Sequence, residues 1–197
     1  MPLQLATNLA AALGAVQALP TAEPVVLDTG VAVRPPPAFI AFCETWPAEC
    51  RTSAEQEIAV DARTTALLAA VNVGVNRAIL PLADLPGRDV WRLDATHGDC
   101  DDYAVAKRHA LMGHGLPASA LRLAVTRTAW GERHLVLVVR TDRGDLVLDN
   151  LTDAILPVDR TGLVFETMQR PDKPRGWVAV APATSGASAV AVTPAGR

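Results

Sequence analysis

A single cysteine, Cys100, stands where a glycine turn meets a predicted helix. The segment Gly98–Tyr103 reads GDCDDY, and good helix formers follow as far as Gly113 or Gly115. Acidic residues in a first helical turn suit the positive end of the helix dipole. Unpaired backbone N–H groups at a helix start stabilise a thiolate, so we expect the pKa of Cys100 to fall below its free value of roughly 8.5. The same groups can bind the oxyanion of a tetrahedral intermediate. We therefore predict that Cys100 is a nucleophile.

Two later residues, His134 and Asp149, can complete a catalytic group with this cysteine. His134 begins the apolar run 134–140, and Asp149 lies near the end of the run 145–151. The short turn between the runs predicts an antiparallel hairpin, in which His134 and Asp149 become neighbours able to form an imidazole–carboxylate hydrogen bond. Cysteine, histidine and aspartate then supply the nucleophile, base and orienter of acyl transfer. Each residue alone has an ordinary structural explanation, but the set favours catalysis.

Two other interpretations of the same residues are open. His97 lies three positions before Cys100 and could join it, His134 and Asp149 in a zinc site, where a metal-bound water would replace the thiol as nucleophile. This hypothesis is the weaker one, because a triad explains His134 and Asp149 without a metal. A binding module that does no chemistry is the other interpretation, and the intact Cys–His–Asp set argues against it.

The elements before residue 120 are predicted to be helical. Ser53 and Gln56 fit a capping box, and apolar residues recur at helical spacing after them, so we predict a long core helix from Ser53 to about Val75. A second helix begins at Cys100. The segment from Pro20 to Pro37 is instead expected to be extended, because its prolines exclude helix and central strand.

The elements after residue 120 are predicted to be strands. Leu121–Ala129 alternates apolar and polar residues, as a half-buried strand does, and 134–140 and 145–151 form the hairpin described above. Trp177–Pro182 reads as a last strand. Helices first and strands afterwards predict an α+β fold, with N-terminal helices packed on an antiparallel sheet.

Composition limits the function classes. The chain has 197 residues, 50% of them hydrophobic, and a net charge of −3. This length allows one sizeable core, and the charge gives no reason to expect a nucleic-acid partner. The first 20 residues carry no acidic or basic side chain, and Leu9–Val16 followed by a small-residue site at 16–18 resembles a signal peptide. A buried N-terminal segment is the alternative. The stretch is too short and polar for a stable membrane span.

The cysteine count bears on the compartment. Cys43 and Cys50 are seven residues apart around Pro47, so they can form a short-loop disulfide in an oxidising compartment. Cys100 is then the odd thiol. The alternative is a pair of reduced cysteines on a surface loop.

Together these residues resemble those of the bacterial transglutaminase-like cysteine proteinases. The resemblance covers about residues 37 to 180 and depends on Phe42-Cys43 with Cys50, Gly98–Ala104, His134 with its apolar strand, and Leu146–Leu151. It implies a papain-like, transglutaminase-like fold in which Cys100 is the nucleophile, His134 the base and Asp149 the orienter. With the features of the two ends, it predicts a domain over 37–182, after a possible signal peptide and extended arm over 1–36 and before a flexible tail over 183–197, which is low in large apolar side chains.

The resemblance also carries expectations about reaction and partners. It implies hydrolysis of a peptide bond in a protein substrate, such as a cell-surface adhesin, in the periplasm or outside the cell, with a regulatory protein as a further partner. A cytoplasmic location is the alternative if the N-terminal segment is not a signal peptide. Transglutaminase-type acyl transfer or amidase activity on the same triad is the alternative reaction, because all three share an acyl-enzyme.

The acidic residues around the cysteine are expected to bind calcium. The resemblance implies calcium at Asp99 and Asp101, with Asp102 as a further candidate. The chemistry agrees, because like charges raise a thiol pKa and a hard divalent cation held by carboxylates would cancel their field. The alternative is that Asp99 caps the helix while Asp101 and Asp102 are solvated.

Overall fold

The computed structural model describes residues 23–27 and 29–181 and contains one large sheet, a pair of short strands and three α-helices. The strands of the described residues, in chain order, are β1 (Thr29–Val33), β2 (Leu80–Pro81), β3 (His97–Gly98), β4 (Leu121–Arg127), β5 (Arg133–Thr141), β6 (Gly144–Leu148), β7 (Leu156–Pro157), β8 (Val164–Gln169) and β9 (Trp177–Val180). Strands β2 and β3 form a small parallel pair. The other strands form one antiparallel sheet in the order β1-β9-β8-β4-β5-β6-β7, so β4 and β5 lie near its centre.

Three α-helices precede most of the sheet in the described chain: α1 (Pro37–Thr45), α2 (Ala62–Ala78) and α3 (Cys100–Gly113). Apolar side chains from all three, such as Phe39, Leu68 and Leu111, pack in one cluster with residues of the central strands. The predicted α+β fold, with N-terminal helices on an antiparallel sheet, is confirmed, as are the helix beginning at Cys100 and the hairpin formed by β5 and β6.

The sheet is buried on both faces. Leu121, Leu123 and Val125 of β4 face the helices, whereas Ala124 belongs to a second cluster on the opposite face. The prediction of a half-buried strand is therefore wrong, since only Arg127 of β4 is exposed. Its polar residues Arg122 and Thr126 are covered as well.

The predicted start of the long helix is also wrong. Helix α2 begins at Ala62, and its N-cap is Asp61, whose Oδ1 accepts a hydrogen bond of 2.6 Å from the Thr64 backbone N–H. The segment before it is extended because the backbone N–H of Ile58 donates to Arg140 O at the end of β5, at 3.1 Å. This long-range pairing outweighs the local capping box that was predicted at Ser53 and Gln56.

The predictions for the two ends of the chain concern an extended arm, a signal peptide and a tail. Part of the predicted extended arm forms the edge strand β1, so the sheet begins before residue 37. The predicted signal peptide, within 1–20, and the predicted tail over 183–197 lie outside the described residues.

Cys43 and Cys50 form a disulfide at the end of α1. In the ranges that are described, the helices are all too short or too polar to cross a membrane.

Candidate active site

Cys100 is the first residue of α3, directly after the strand pair β2–β3. The turn that delivers it needs glycine, because a Cβ on Gly98 would clash with the side chain of Asp102, approaching its Cβ to 2.7 Å. Asp99 is the N-cap by position, but its side chain makes no capping hydrogen bond. The helix start therefore places the thiol in the lining of a cleft, and the Asp99 carboxylate accepts a hydrogen bond of 3.2 Å from the Asp84 backbone N–H instead.

The cleft has a volume of about 320 Å³. Cys100 and His134 both line it, so α3 and β5 bring the predicted nucleophile and base to one cavity. The loop 83–89 and Trp91 form another wall.

His134 and Asp149 are brought together by the β5–β6 hairpin. The register pairs Thr141 with Gly144 and Leu137 with Leu148, and the two side chains meet just beyond its last rung, as predicted. Nε2 of His134 lies 2.7 Å from Oδ1 of Asp149, and both residues are buried. This contact leaves Nδ1 as the nitrogen that can receive a proton from a thiol.

The Asp149 carboxyl is held in its ionised form. Burial raises its pKa, but the hydrogen bond and charge of His134, with the Leu151 N–H and the Lys107 charge, outweigh burial and hold the pKa below its ordinary value. The Leu151 backbone N–H donates to the same Oδ1 at 3.0 Å. An ionised, fixed carboxylate of this kind sets the tautomer and orientation of an imidazole.

The thiol of Cys100 does not show the lowered pKa that its helix position predicts. Burial raises the pKa to about 12, and the charges of Asp101 and Asp99 add to this, against the backbone N–H groups of Leu135 and of Cys100 itself. The helix start alone therefore does not lower the pKa of this thiol. Burial and like charge outweigh the helix dipole here.

Asp99 and Asp101 form an acidic cluster beside the thiol. Ligand atoms of Asp99, Cys100 and Asp101 lie within 4.8 Å of one another. Burial raises the pKa of Asp101 to about 9, together with a hydrogen bond to Asp99 and neighbouring carboxylate charges. One oxygen on each carboxylate, Oδ1 of Asp99 and Oδ1 of Asp101, is buried without a hydrogen-bond partner. Hard oxygen donors with free lone pairs fit a divalent cation such as calcium.

Asp102 lies outside this cluster and is already paired. Arg92 binds it through the backbone N–H at 2.8 Å and through Nη2 at 3.0 Å, and the same Nη2 contacts Asp84 at 3.0 Å. The Asp102 carboxylate is fully buried, and its pKa is raised by burial, against the opposing effect of Arg92. The third candidate calcium ligand thus binds an arginine. The side chain of Arg92 was not singled out in the sequence.

The geometry separates His97 from the other residues of the zinc hypothesis. His97 is exposed, and its Nδ1 lies 3.1 Å from the hydroxyl of Thr96. Among the described residues, the side chains that lie close enough together to bind one metal ion are those of Asp99, Cys100 and Asp101, and His97 is not one of them.

Sequence reasoning also missed a buried lysine near Asp149. Lys107 is 1% exposed and is attracted by the charges of Asp149 and Asp153, while burial lowers its pKa to about 7. In the sequence it is one of the good helix formers that follow Cys100. Its position seven residues after Cys100, on the same face of α3, was the available signal.

The fold thus brings the Cys100 thiol and the His134 imidazole to one cleft, with the Asp149 carboxylate in contact with the imidazole. The family model of the bacterial transglutaminase-like cysteine proteinases matches residues 29–185, and the chain belongs to this family. It is therefore a cysteine peptidase of the transglutaminase-like superfamily. Curated proteins gave no match.

Solved structures of LapG from Legionella pneumophila are similar to this chain. The calcium-bound form is 25% identical, with a TM-score of 0.51 over 59% of this chain and 69% of LapG. The EGTA-treated form is 24% identical, with a TM-score of 0.51 over 63% of this chain and 74% of LapG. These matches agree with the transglutaminase-like fold.

Proposed function

We propose that this protein hydrolyses a peptide bond of a protein substrate through Cys100, His134 and Asp149. The observation that carries the proposal is that Cys100 and His134 line one cleft while Nε2 of His134 lies 2.7 Å from Asp149. Asp149 fixes the imidazole so that its Nδ1 acts as the base. This gives each residue the role that acyl transfer requires.

The reaction begins from a neutral thiol, because burial raises the pKa of Cys100 to about 12. Nδ1 of His134 takes the thiol proton as the sulfur attacks the substrate carbonyl, and the Cys100 backbone N–H stabilises the oxyanion at the helix start. The imidazolium then donates that proton to the leaving amine, and a thioester to Cys100 remains. Water attacks the thioester with His134 again as base, which releases the acid product and restores the thiol.

We propose that Asp99 and Asp101 hold a calcium ion. Their buried, unpartnered oxygens support this assignment, as does the calcium-bound form of LapG. The ion would cancel negative charge that otherwise opposes a thiolate at Cys100. We assign Asp102 to Arg92 instead, because their bidentate contact already satisfies that carboxylate.

The proposed location is the periplasm or the outside of the cell. The Cys43–Cys50 disulfide supports it, since structural disulfides persist in oxidising compartments. A cell-surface adhesin is the proposed substrate and a regulatory protein a further proposed partner, both on the resemblance to the family.

The test uses internally quenched peptides with the wild type and the Cys100→Ala variant, in calcium, with and without an added primary amine. We expect cleavage by the wild type and none by the variant. A water-derived carboxyl terminus on the product identifies a hydrolase, whereas amine incorporation that outruns hydrolysis identifies an acyl transferase. Cleavage that persists in Cys100→Ala contradicts the proposal.

A further inference from the structure

The turn that carries Asp149 lies outside the sheet ladder. Strand β6 ends at Leu148, and the chain does not pair again until β7 begins at Leu156. Within the turn, Oδ1 of Asp149 accepts from the Leu151 N–H at 3.0 Å and also contacts Nε2 of His134 at 2.7 Å. The side chain thus has a local anchor to its own turn. The position of the turn relative to His134 must be set by something else.

Asn76 of α2 contacts this turn at three points. Its Nδ2 lies 3.1 Å from Asp149 O, 3.2 Å from Thr152 O and 3.0 Å from Asp153 Oδ1. A carboxamide has two N–H donors, so at least one of them is shared between acceptors. A single side chain therefore fastens both ends of the segment from Asp149 to Asp153 to the helix.

Asn72, one helical turn earlier, contacts the same segment. Its Nδ2 lies 3.2 Å from Thr152 O and 3.1 Å from Asp153 O, and the residue is fully buried. Positions four apart on a helix share a face, so the two carboxamides form one row of donors along α2. We call Asn72 and Asn76 the asparagine clamp.

Ordinary core packing does not explain two asparagines at these positions. Asparagine is a poor helix former, and the carboxamide Oδ1 atoms of both residues are buried without a partner in the described structure. Leucine would fill the space without either drawback. The donors of the clamp are accounted for by the carbonyl groups of the turn, which otherwise have no helix or strand to bond.

Lys107 of α3 is buried within electrostatic range of the same turn. Burial lowers its pKa to about 7, and the charges of Asp149 and Asp153 oppose that effect. The turn therefore contacts donors on α2 and interacts electrostatically with α3, the helix that begins with Cys100. Two helices and one hairpin meet at the residue proposed to orient His134.

We propose that Asn76, supported by Asn72, is a positioning residue that holds the turn so that Asp149 stays within reach of His134. The inference rests on the proposed function, because Asp149 is an orienter only if the triad is catalytic. It extends that function by naming the contacts on α2 through which the orienter is placed. Asn76 acts through Asp149 and touches no substrate.

The test compares Asn76→Ala with the wild type in calcium, using three readouts. Imidazole nitrogen shifts of ¹⁵N-histidine-labelled protein report which nitrogen of His134 carries the proton, and the four histidines are assigned by single substitution. The rate of iodoacetamide alkylation at fixed pH reports Cys100, and thermal melting reports stability. We expect the wild type to hold the proton on Nε2. In Asn76→Ala we expect His134 to exchange between tautomers and Cys100 to be alkylated about tenfold more slowly, because the loss of one supporting contact typically lowers activity by about that factor.

Two further variants separate positioning from stability. Val71→Ala, on the same helix in the apolar core, is the matched control and should lower the melting temperature while keeping the His134 tautomer and the alkylation rate. Asn76→Leu keeps the branching and heavy-atom count of the side chain and improves helix propensity but removes the donor, so it serves even if Asn76→Ala fails to fold. We expect it to show the same tautomer exchange and slow alkylation.

Wild-type tautomer and alkylation rate in folded Asn76→Leu or Asn76→Ala overturn the inference, as do equal losses of both in Val71→Ala. Failure of the proposed function looks different. In that case the wild type cleaves no peptide and does not differ from Cys100→Ala in the cleavage assay, whatever the tautomer of His134.

Discussion

His134 and Asp149 meet diagonally across the end of the β5–β6 hairpin, with Nε2 of the imidazole 2.7 Å from Oδ1 of the carboxylate. The register pairs Leu137 with Leu148, so Asp149 follows directly after the last ladder pair, while His134 lies three residues before it. Diagonal neighbours on one face of a sheet lie within reach of long side chains. The contact uses Nε2, and the proton from a cysteine must therefore go to Nδ1.

The first prediction concerns the nucleophile. Cys100→Ala should abolish peptide cleavage. Its free energy of unfolding should stay within about 1 kcal/mol of the wild type, because Cys100 lines a cleft and the substitution removes only its sulfur atom. Cleavage is measured with quenched peptides and stability by urea denaturation. Cys100→Ser is the near-isosteric control and should be equally inactive. Turnover by either variant contradicts the role of Cys100.

The second prediction orders the other two residues. His134→Ala should lose activity as severely as Cys100→Ala, whereas Asp149→Asn should lose somewhat less, because residues of one catalytic unit are non-additive and the orienter is the least essential. Single-turnover cleavage rates measure the order. The double variant His134→Ala/Asp149→Asn should be no slower than His134→Ala alone. Additive losses would show that the two residues do not act together.

The proximity of His134 and Asp149 could be predicted because a short hairpin sets the register of both its strands. The helix start at Cys100 could be predicted for a similar reason, since its signals lie within one turn. Helix α1 was not predicted, because a single short apolar run around Phe39 shows no clear period. Its first residue, Pro37, was the available signal, as proline favours the first helical position.

The features that sequence reasoning missed depend on contacts between distant residues. The α2 start moved because Ile58 pairs with the end of β5. The raised pKa of Cys100 comes from burial, which no local motif reveals. Asn76 contacts a turn more than seventy residues away, and neither its spacing nor its type marks that partner.

The third prediction concerns the Cys43–Cys50 disulfide. Cross-linking a loop of this length should contribute about 2–3 kcal/mol by restricting the unfolded chain. The free energy of unfolding of Cys43→Ala/Cys50→Ala should therefore be lower by that amount, and its urea midpoint should fall. Both half-cystines are buried, so some loss of packing adds to the effect. Wild-type protein in reductant is the control and should show a similar shift. An unchanged urea midpoint in both samples contradicts a stabilising role.

The fourth prediction concerns pH and Asp101. Burial raises the pKa of Asp101 in the folded state to about 9. At pH values between its unfolded pKa and about 9, the Asp101 carboxyl therefore carries a proton in the folded state but not in the unfolded state. Stability of the protein in EGTA should therefore fall as pH rises, by up to about 2 kcal/mol from about pH 5 to about 6.5. Lys107, with its pKa near 7, titrates mostly above this window. Urea denaturation measures the slope, and Asp101→Asn should flatten it. Equal slopes in the two proteins contradict the raised pKa.

The last prediction ties the acidic cluster to the reactivity of the thiol. Removal of calcium with EGTA should slow both peptide cleavage and alkylation of Cys100, because the charge of Asp99, joined above about pH 9 by that of Asp101, then opposes a thiolate without compensation. Added calcium should restore both rates. Magnesium should restore them poorly, because it demands tighter octahedral geometry and releases its waters reluctantly. Equal rates in EGTA and calcium, from protein shown to be metal-free at the start, contradict the prediction.

Asp101→Asn separates electrostatic activation from a purely structural ion. The substitution removes a hard anionic ligand, so the response to calcium should weaken, yet it also removes a repulsive charge beside the thiolate. Above about pH 9, where Asp101 is ionised, alkylation of the variant in EGTA should therefore be faster than that of the wild type in EGTA, while its gain on adding calcium is smaller. An ion with only a structural role would change the melting temperature and leave alkylation of the folded protein unchanged. Alkylation of Asp101→Asn in EGTA that is no faster than the wild type at that pH would therefore exclude charge cancellation as the function of the ion.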